Sequence, residues 1–236
     1  MNIELADVVK VYSTGTHKEL HDCLLGKSKD TLISMLVDLL TAYINDKNSS
    51  TLREFITVTF AGYEHKGGKI GYNGFKYDTH IPGKTIRCEA KPKNFDTEEI
   101  EKFKKGERKT SPAKLNGGGN FTDYTPARLA KDMTEKGLNM LVSGFVDGKL
   151  IYILEFPFSC PSFRENLEKQ LKNWEAKLEG SKSAKGQFLR SAGFDYRAYI
   201  DSNDLKVVFL LNRDEIEKYK QYIARDFYNI LKGLLE

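Results

Sequence analysis

Residues 76–91 read Lys76-Tyr77-Asp78-Thr79-His80-Ile81-Pro82-Gly83-Lys84-Thr85-Ile86-Arg87-Cys88-Glu89-Ala90-Lys91. Pro82-Gly83 is turn chemistry, because proline presets its own φ and glycine tolerates a positive one. The flanking runs carry β-branched and aromatic residues, so the stretch predicts two tightly joined strands, Lys76 to Ile81 and Thr85 to Lys91. Alternate side chains of a strand share a face. Glu89 and Lys91 therefore point one way and Ala90 the other, and the turn is expected to return Asp78 to the face of Glu89.

Two carboxylates held together repel unless a cation neutralises them, and hard oxygen ligands select Mg²⁺, with Mn²⁺ possible, over zinc. Asp78 and Glu89 are thus the expected metal ligands. Lys91 completes the expected catalytic set: its ammonium would orient or help deprotonate a water and offset charge on a phosphate. A bare Glu-x-Lys triplet is weak by itself, since Glu168 and Glu175 repeat it on a predicted helix, where the spacing separates the faces. The strand setting and the Asp partner distinguish Glu89.

Upstream, Asp30 is placed to cap a helix whose Leu32, Leu36, Leu39, Leu40 and Tyr43 recur at helical spacing, and this helix reads as scaffold. Leu52 to Phe60 reads as a short helix or strand, followed by a glycine-punctuated, turn-rich passage. Downstream of Pro92 a long polar, lysine-rich stretch with Gly117-Gly118-Gly119 runs to Tyr124 and reads as a functional, mobile loop. Thr125 caps a helix with Pro126 at its first position, ending near Gly137. Met140 to Val146 and Leu150 to Phe158 are apolar strands around Asp147-Gly148, a two-residue hairpin signal. Ser162 then caps a helix through Leu178, and Glu179 to Gln187 reads as a flexible loop. Arg197 to Ile200, Val207 to Leu211 and a helix from Asp214 close the chain.

The order helix, strands bearing Asp78 and Glu89-Ala90-Lys91, helix, strand resembles the PD-(D/E)xK nuclease superfamily, to which most type II restriction endonucleases belong. The resemblance spans about residues 30–178. Tyr77 stands where the name-giving proline would be. It implies an α/β fold with a central mixed β-sheet flanked by helices. It also implies Mg²⁺-dependent, sequence-specific hydrolysis of DNA, a homodimer on double-stranded DNA, and a DNA methyltransferase as genetic companion. Many members place a further acid on the preceding helix, for which Glu54 or Glu64 would serve. Glu155 reads as a water-facing strand-end carboxylate, with a supporting role in the site as the alternative.

The 236 residues suit one nuclease domain with a strand–helix extension over 188–236, and 40% hydrophobic with 30% charged residues is ordinary for a folded chain. A net charge of +4 decides little, but residues 102–131 hold eight basic residues against Glu107 and Asp123, which suits a polyanion. Lys93, Asn94, Asn120, Thr122, Tyr124 and Arg128 are the expected DNA contacts, cations for phosphates and polar groups for shorter-range bonds. The glycine run lacks the following Lys-Ser or Lys-Thr of a nucleotide loop. Three separated cysteines, no basic-then-apolar N-terminus and no run of about 18 apolar residues lead to the expectation of a cytoplasmic protein. The rival readings are a structure-specific or repair nuclease, and a non-catalytic nucleic-acid-binding protein.

Overall fold

The computed structural model describes residues 16–45, 50–66, 71–79, 81–179 and 188–235, together with Glu4, Val8 and Val11. His80 and most of the expected loop at 179–187 lie outside the described residues. The chain divides into two compact units, Met1–Ser50 and Thr51–Glu236.

The first unit carries helices α1 (His17–Leu25) and α2 (Lys29–Asn45). Thr16 and Glu19 form a reciprocal capping box on α1. Ser28, two residues before the expected Asp30, caps α2 by accepting the Thr31 N–H at 3.1 Å. Leu36 and Leu39 of α2 are 55% and 49% exposed, while Met35 is buried. The second unit has a helix of its own ahead of the hairpin, α3 (Thr51–Phe60).

That unit continues with β1 (Glu64–His65), β2 (Gly74–Tyr77), β3 (Thr85–Phe95), α4 (Glu98–Lys104), β4 (Gly119–Tyr124), α5 (Pro126–Thr134), β5 (Leu138–Val146) and β6 (Lys149–Pro157). It ends with α6 (Pro161–Glu179), β7 (Leu189–Phe194), β8 (Lys206–Leu210), α7 (Arg213–Glu217) and α8 (Arg225–Gly233). Among the described residues the main sheet runs β1-β2-β3-β5-β6-β8, and β4 pairs with β7 in a second, two-stranded sheet. Strand β3 lies parallel to β5 and the other neighbours are antiparallel, which is the mixed sheet with flanking helices expected from the sequence. A parallel pair needs a crossover, and the chain from α4 to α5 supplies it. Asp147 and Gly148, at φ 47° and 81°, make the tight β5–β6 turn.

Strand β5 is buried almost throughout because both of its faces are covered. On one face Val58 of α3 packs with Tyr63, Cys88, Ala90 and Leu141. Thr57 and Ser143 join hydroxyls there at 2.6 Å, satisfying two fully buried polar groups. On the other face Met140, Val142 and Phe156 meet Phe163 and Leu167 of α6, and Phe121 of β4. Phe156, Phe158 and Phe163 are core, as their pattern suggests.

Within residues 188–235, β7 pairs with β4, β8 extends the main sheet, and Phe227 and Leu231 of α8 are fully buried. Tyr196–Ala198 is a 3-10 turn. Several sequence expectations are corrected. The stretch after Pro92 is not one loose loop, since β3 runs on to Phe95 and α4 and β4 follow. Its charge is also partly spent internally, Lys102 and Arg108 pairing with Glu99 and Lys104 with Glu101. The glycine run is packed: a Cβ on Gly118 would fall 2.1 Å from the Phe194 carbonyl oxygen, and one on Gly119 2.6 Å from Lys91 Cβ. Glycine is required there for close approach of β4 to β3, not for mobility.

Candidate active site

The alternation of β3 sorts its side chains between the two faces. Cys88 and Ala90 face α3, while Glu89 and Lys91 face β4 and α5. Lys91 Nζ lies 2.6 Å from Glu89 Oε1 and 4.6 Å from the centre of the Phe121 ring. Arg128 Nη2, one turn into α5, reaches the same oxygen at 3.4 Å. Thr125 sets that reach by accepting the Arg128 N–H and fixing the start of the helix.

One turn further along, Asp132 lies under Arg128, with Nε to Oδ2 at 3.7 Å. Tyr72 and Tyr124 each donate a hydroxyl to Asp132 at 3.2 Å. Burial raises the Asp132 carboxyl above the usual range, outweighing the opposing pull of Arg128 and the two tyrosines, and Glu89 adds to the rise. Burial likewise raises the Tyr72 and Tyr124 phenols, so both remain donors. Glu89 is 6% exposed, and its Oε2 has no hydrogen-bond partner although it is fully buried. A buried carboxylate oxygen without a hydrogen-bond partner is costly in a native structure.

Asp78 does not join this group. The β2–β3 ladder pairs Tyr77 with Thr85, and the Asp78 N–H bonds the Lys84 carbonyl at 2.8 Å, so the hairpin is centred on Ile81. Bringing Asp78 opposite Glu89 requires a centre between Gly83 and Lys84. Glu89 lies five residues beyond Lys84, about 17 Å along an extended strand, and the odd separation puts it on the opposite face. Asp78 Oδ2 instead pairs with Lys84 Nζ at 3.0 Å. The two-carboxylate pair expected of Asp78 and Glu89 is therefore not formed.

The other expected residues separate as well. Lys93 and Asn120 line one cleft. Arg128 sits in the ion-pair cluster, and Thr122 is exposed on β4. Tyr124 is fully buried with its hydroxyl committed to Asp132, which removes it from the expected DNA contacts, and Asn94 accepts the Gly148 N–H at the β5–β6 turn. Glu54, on the α3 face, accepts from Asn73 at 3.0 Å, and Asn73 in turn accepts the Ala90 N–H. Glu64 is exposed on the edge strand β1. Glu155 is buried, not water-facing: Tyr63 Oη donates to it at 2.5 Å and Asn139 at 2.6 Å, with Lys76 at 3.5 Å. Glu54 and Glu155 lie on the face away from Lys91, whereas the register of Glu64 with Phe75 and Arg87 puts it on the Lys91 face, at the far edge of the sheet.

Asp132 was missed by sequence reasoning. Its one signal was the four-residue spacing from Arg128 on a helix with an assigned cap, which places both on one face. No protein-family model matches the chain, and no curated protein matches it either. Toward a small hard cation the cluster offers the buried Oε2 of Glu89, while both oxygens of Asp132 are met by Tyr72, Tyr124 and Arg128; Mg²⁺ needs only one or two protein carboxylates, with water for the rest.

Proposed function

We propose that this protein is a Mg²⁺-dependent endonuclease that hydrolyses phosphodiester bonds of double-stranded DNA in the manner of a type II restriction enzyme. The observation that carries the reading is Glu89 beside Lys91 at 2.6 Å on a covered sheet face, with Glu89 Oε2 left unpaired. Glu89 and Asp132 would hold the ion, which supplies charge stabilisation at the phosphate and a more acidic water.

The protein's own groups divide the remaining work. Lys91, held by Glu89 and by the Phe121 ring, presents an ammonium that orients the attacking water and offsets charge on the phosphate. Arg128, 37% exposed along its side chain, exchanges its ion pairs for a phosphate oxygen and positions the strand. Phe121, Tyr124 and the close-packed Gly119 keep the lysine stem dry and fixed. The products would carry a 5′-phosphate and a 3′-hydroxyl. Cutting both strands at a palindrome calls for two sites related by a twofold axis, hence a homodimer. A companion methyltransferase would protect host DNA. No helix among the described residues is long and apolar enough to cross a membrane. A cytoplasmic location follows from the proposed substrate.

The test is incubation of unmethylated phage DNA with the protein and Mg²⁺, beside folded Glu89→Gln and Lys91→Ala variants. Discrete fragments from the wild type alone support the reading. Intact DNA from several sources, and intact flaps, nicks and junctions, with Mg²⁺ or Mn²⁺, would overturn it in favour of a non-catalytic DNA-binding protein.

A further inference from the structure

Beside Lys91, between α6, β3 and the β4–β7 pair, lies a cleft of about 590 Å³. Lys93, Lys169 and Arg197 line it together with Asn116, Asn120 and Asn166. Lys93 stands two residues beyond Lys91 on the same face of β3, about 7 Å away at strand spacing. Its Nζ donates to the neutral Asn116 Oδ1 at 3.3 Å, and no ion pair to it is formed among the described residues.

Two carboxylates also reach the cleft, Glu165 and Asp195. Asp195 is engaged by Arg197, with Oδ2 2.6 Å from Nη2 and Oδ1 accepting the Arg197 backbone N–H at 3.0 Å. That leaves Glu165, exposed on α6, and the residual pull of Asp195 on Lys93 against the charges of Lys93 and Lys169. Ser162, Asn166 and Lys169 share the cleft-facing side of the first turns of α6, so the positive end of a 19-residue helix dipole adds to the field. Cations, carboxamides and a hydroxyl converging on a small volume are donors for an anion with several acceptor oxygens.

We infer that this cleft binds one phosphate of a nucleic-acid strand, adjacent to the phosphate at Lys91. The inference rests on the nuclease reading for the identity of the strand, but binding is measured without cleavage, so the two fail separately.

The experiment is fluorescence anisotropy of a labelled mixed-sequence duplex in EDTA, titrated with the full chain at several salt concentrations. Each neutralised phosphate contributes about 0.9 to the salt slope. Lys169→Ala, at an exposed position that folding does not need, is expected to lower the slope by about one contact and weaken binding across sequences. Lys93→Met is expected to do the same, whereas Lys149→Ala, at the start of β6, leaves the slope unchanged. An unchanged slope in Lys169→Ala, or an equal loss in Lys149→Ala, would overturn the inference. So would calorimetric saturation by inorganic phosphate alone that Lys169→Ala abolishes while duplex binding stays intact, which would assign the cleft to free phosphate. Pocket-dependent binding without cleavage would sustain the cleft and sink the nuclease.

Discussion

Asp78 stands opposite Lys84 on the β2–β3 hairpin, its Oδ2 3.0 Å from Lys84 Nζ, with Glu89 five residues further along β3 on the other face. Asp78→Ala therefore keeps wild-type cleavage per folded molecule and lowers stability, since the Asp78 side chain is only 11% exposed beside Lys84. Glu89→Gln lowers the cleavage rate by roughly 10²–10⁴. Initial rates on one plasmid substrate check both, and a folded Asp78→Ala protein without cleavage would return Asp78 to the site.

Glu89 and Asp132 are joined through Arg128, which bonds the first at 3.4 Å and the second at 3.7 Å. If the pair holds a divalent cation, Mn²⁺ raises the melting temperature of the wild type, because a ligand of the native state stabilises it. The shift disappears in Asp132→Asn and in Glu89→Gln. A full Mn²⁺ shift in Asp132→Asn would remove Asp132 from the site, whatever the cleavage assay shows.

Lys93 links charge to pH. Burial lowers its pKa from the ordinary lysine value against a smaller opposing effect of Asp195. The folded state thus binds fewer protons than the unfolded state between the lowered value and the usual lysine range. Stability gains from this group as pH rises through that window. DNA binding moves oppositely, since Lys93 loses its charge at lower pH than an exposed lysine. Anisotropy titrations of wild type and Lys93→Met across the alkaline range should differ in this way, and parallel curves would refute the assignment.

Gly119→Ala places a methyl 2.6 Å from Lys91 Cβ and 3.1 Å from the Phe194 ring. Overpacking of this kind costs about 1–3 kcal/mol, and here it also displaces the lysine. Denaturant unfolding should show lost stability together with lost cleavage in the folded fraction. Full cleavage would show that Lys91 needs no fixed position.

Glu155→Ala leaves the Tyr63 hydroxyl and the Asn139 amide without their buried acceptor, costing about 1–3 kcal/mol. It lies on the α3 face, so turnover per folded molecule should stay unchanged. A selective loss of turnover would instead tie this face to the chemistry.

Residue type and spacing alone made the local structure legible. Thr125-Pro126 starts α5, Asp147-Gly148 turns β5 into β6, and strand periodicity sets Glu89 with Lys91 and apart from Ala90. Each depends on short-range sterics and hydrogen bonds within a few residues. The mixed sheet was legible through the order of elements.

The sequence by itself determined the strand that sets Glu89 with Lys91, the β5–β6 hairpin and the start of α5, but not α4, β4 or β7. Only the tertiary structure decided the hairpin register, which removed Asp78 from that pair, and the docking of α5, which set Asp132 and Arg128 beside it. It also turned the glycine run and the C-terminal segment into packed parts of one core. Register and docking follow from side chains far apart in the chain burying one another, and no local pattern encodes that sum. A shift of the ladder centre by a few residues keeps every local preference satisfied while changing which side chains meet.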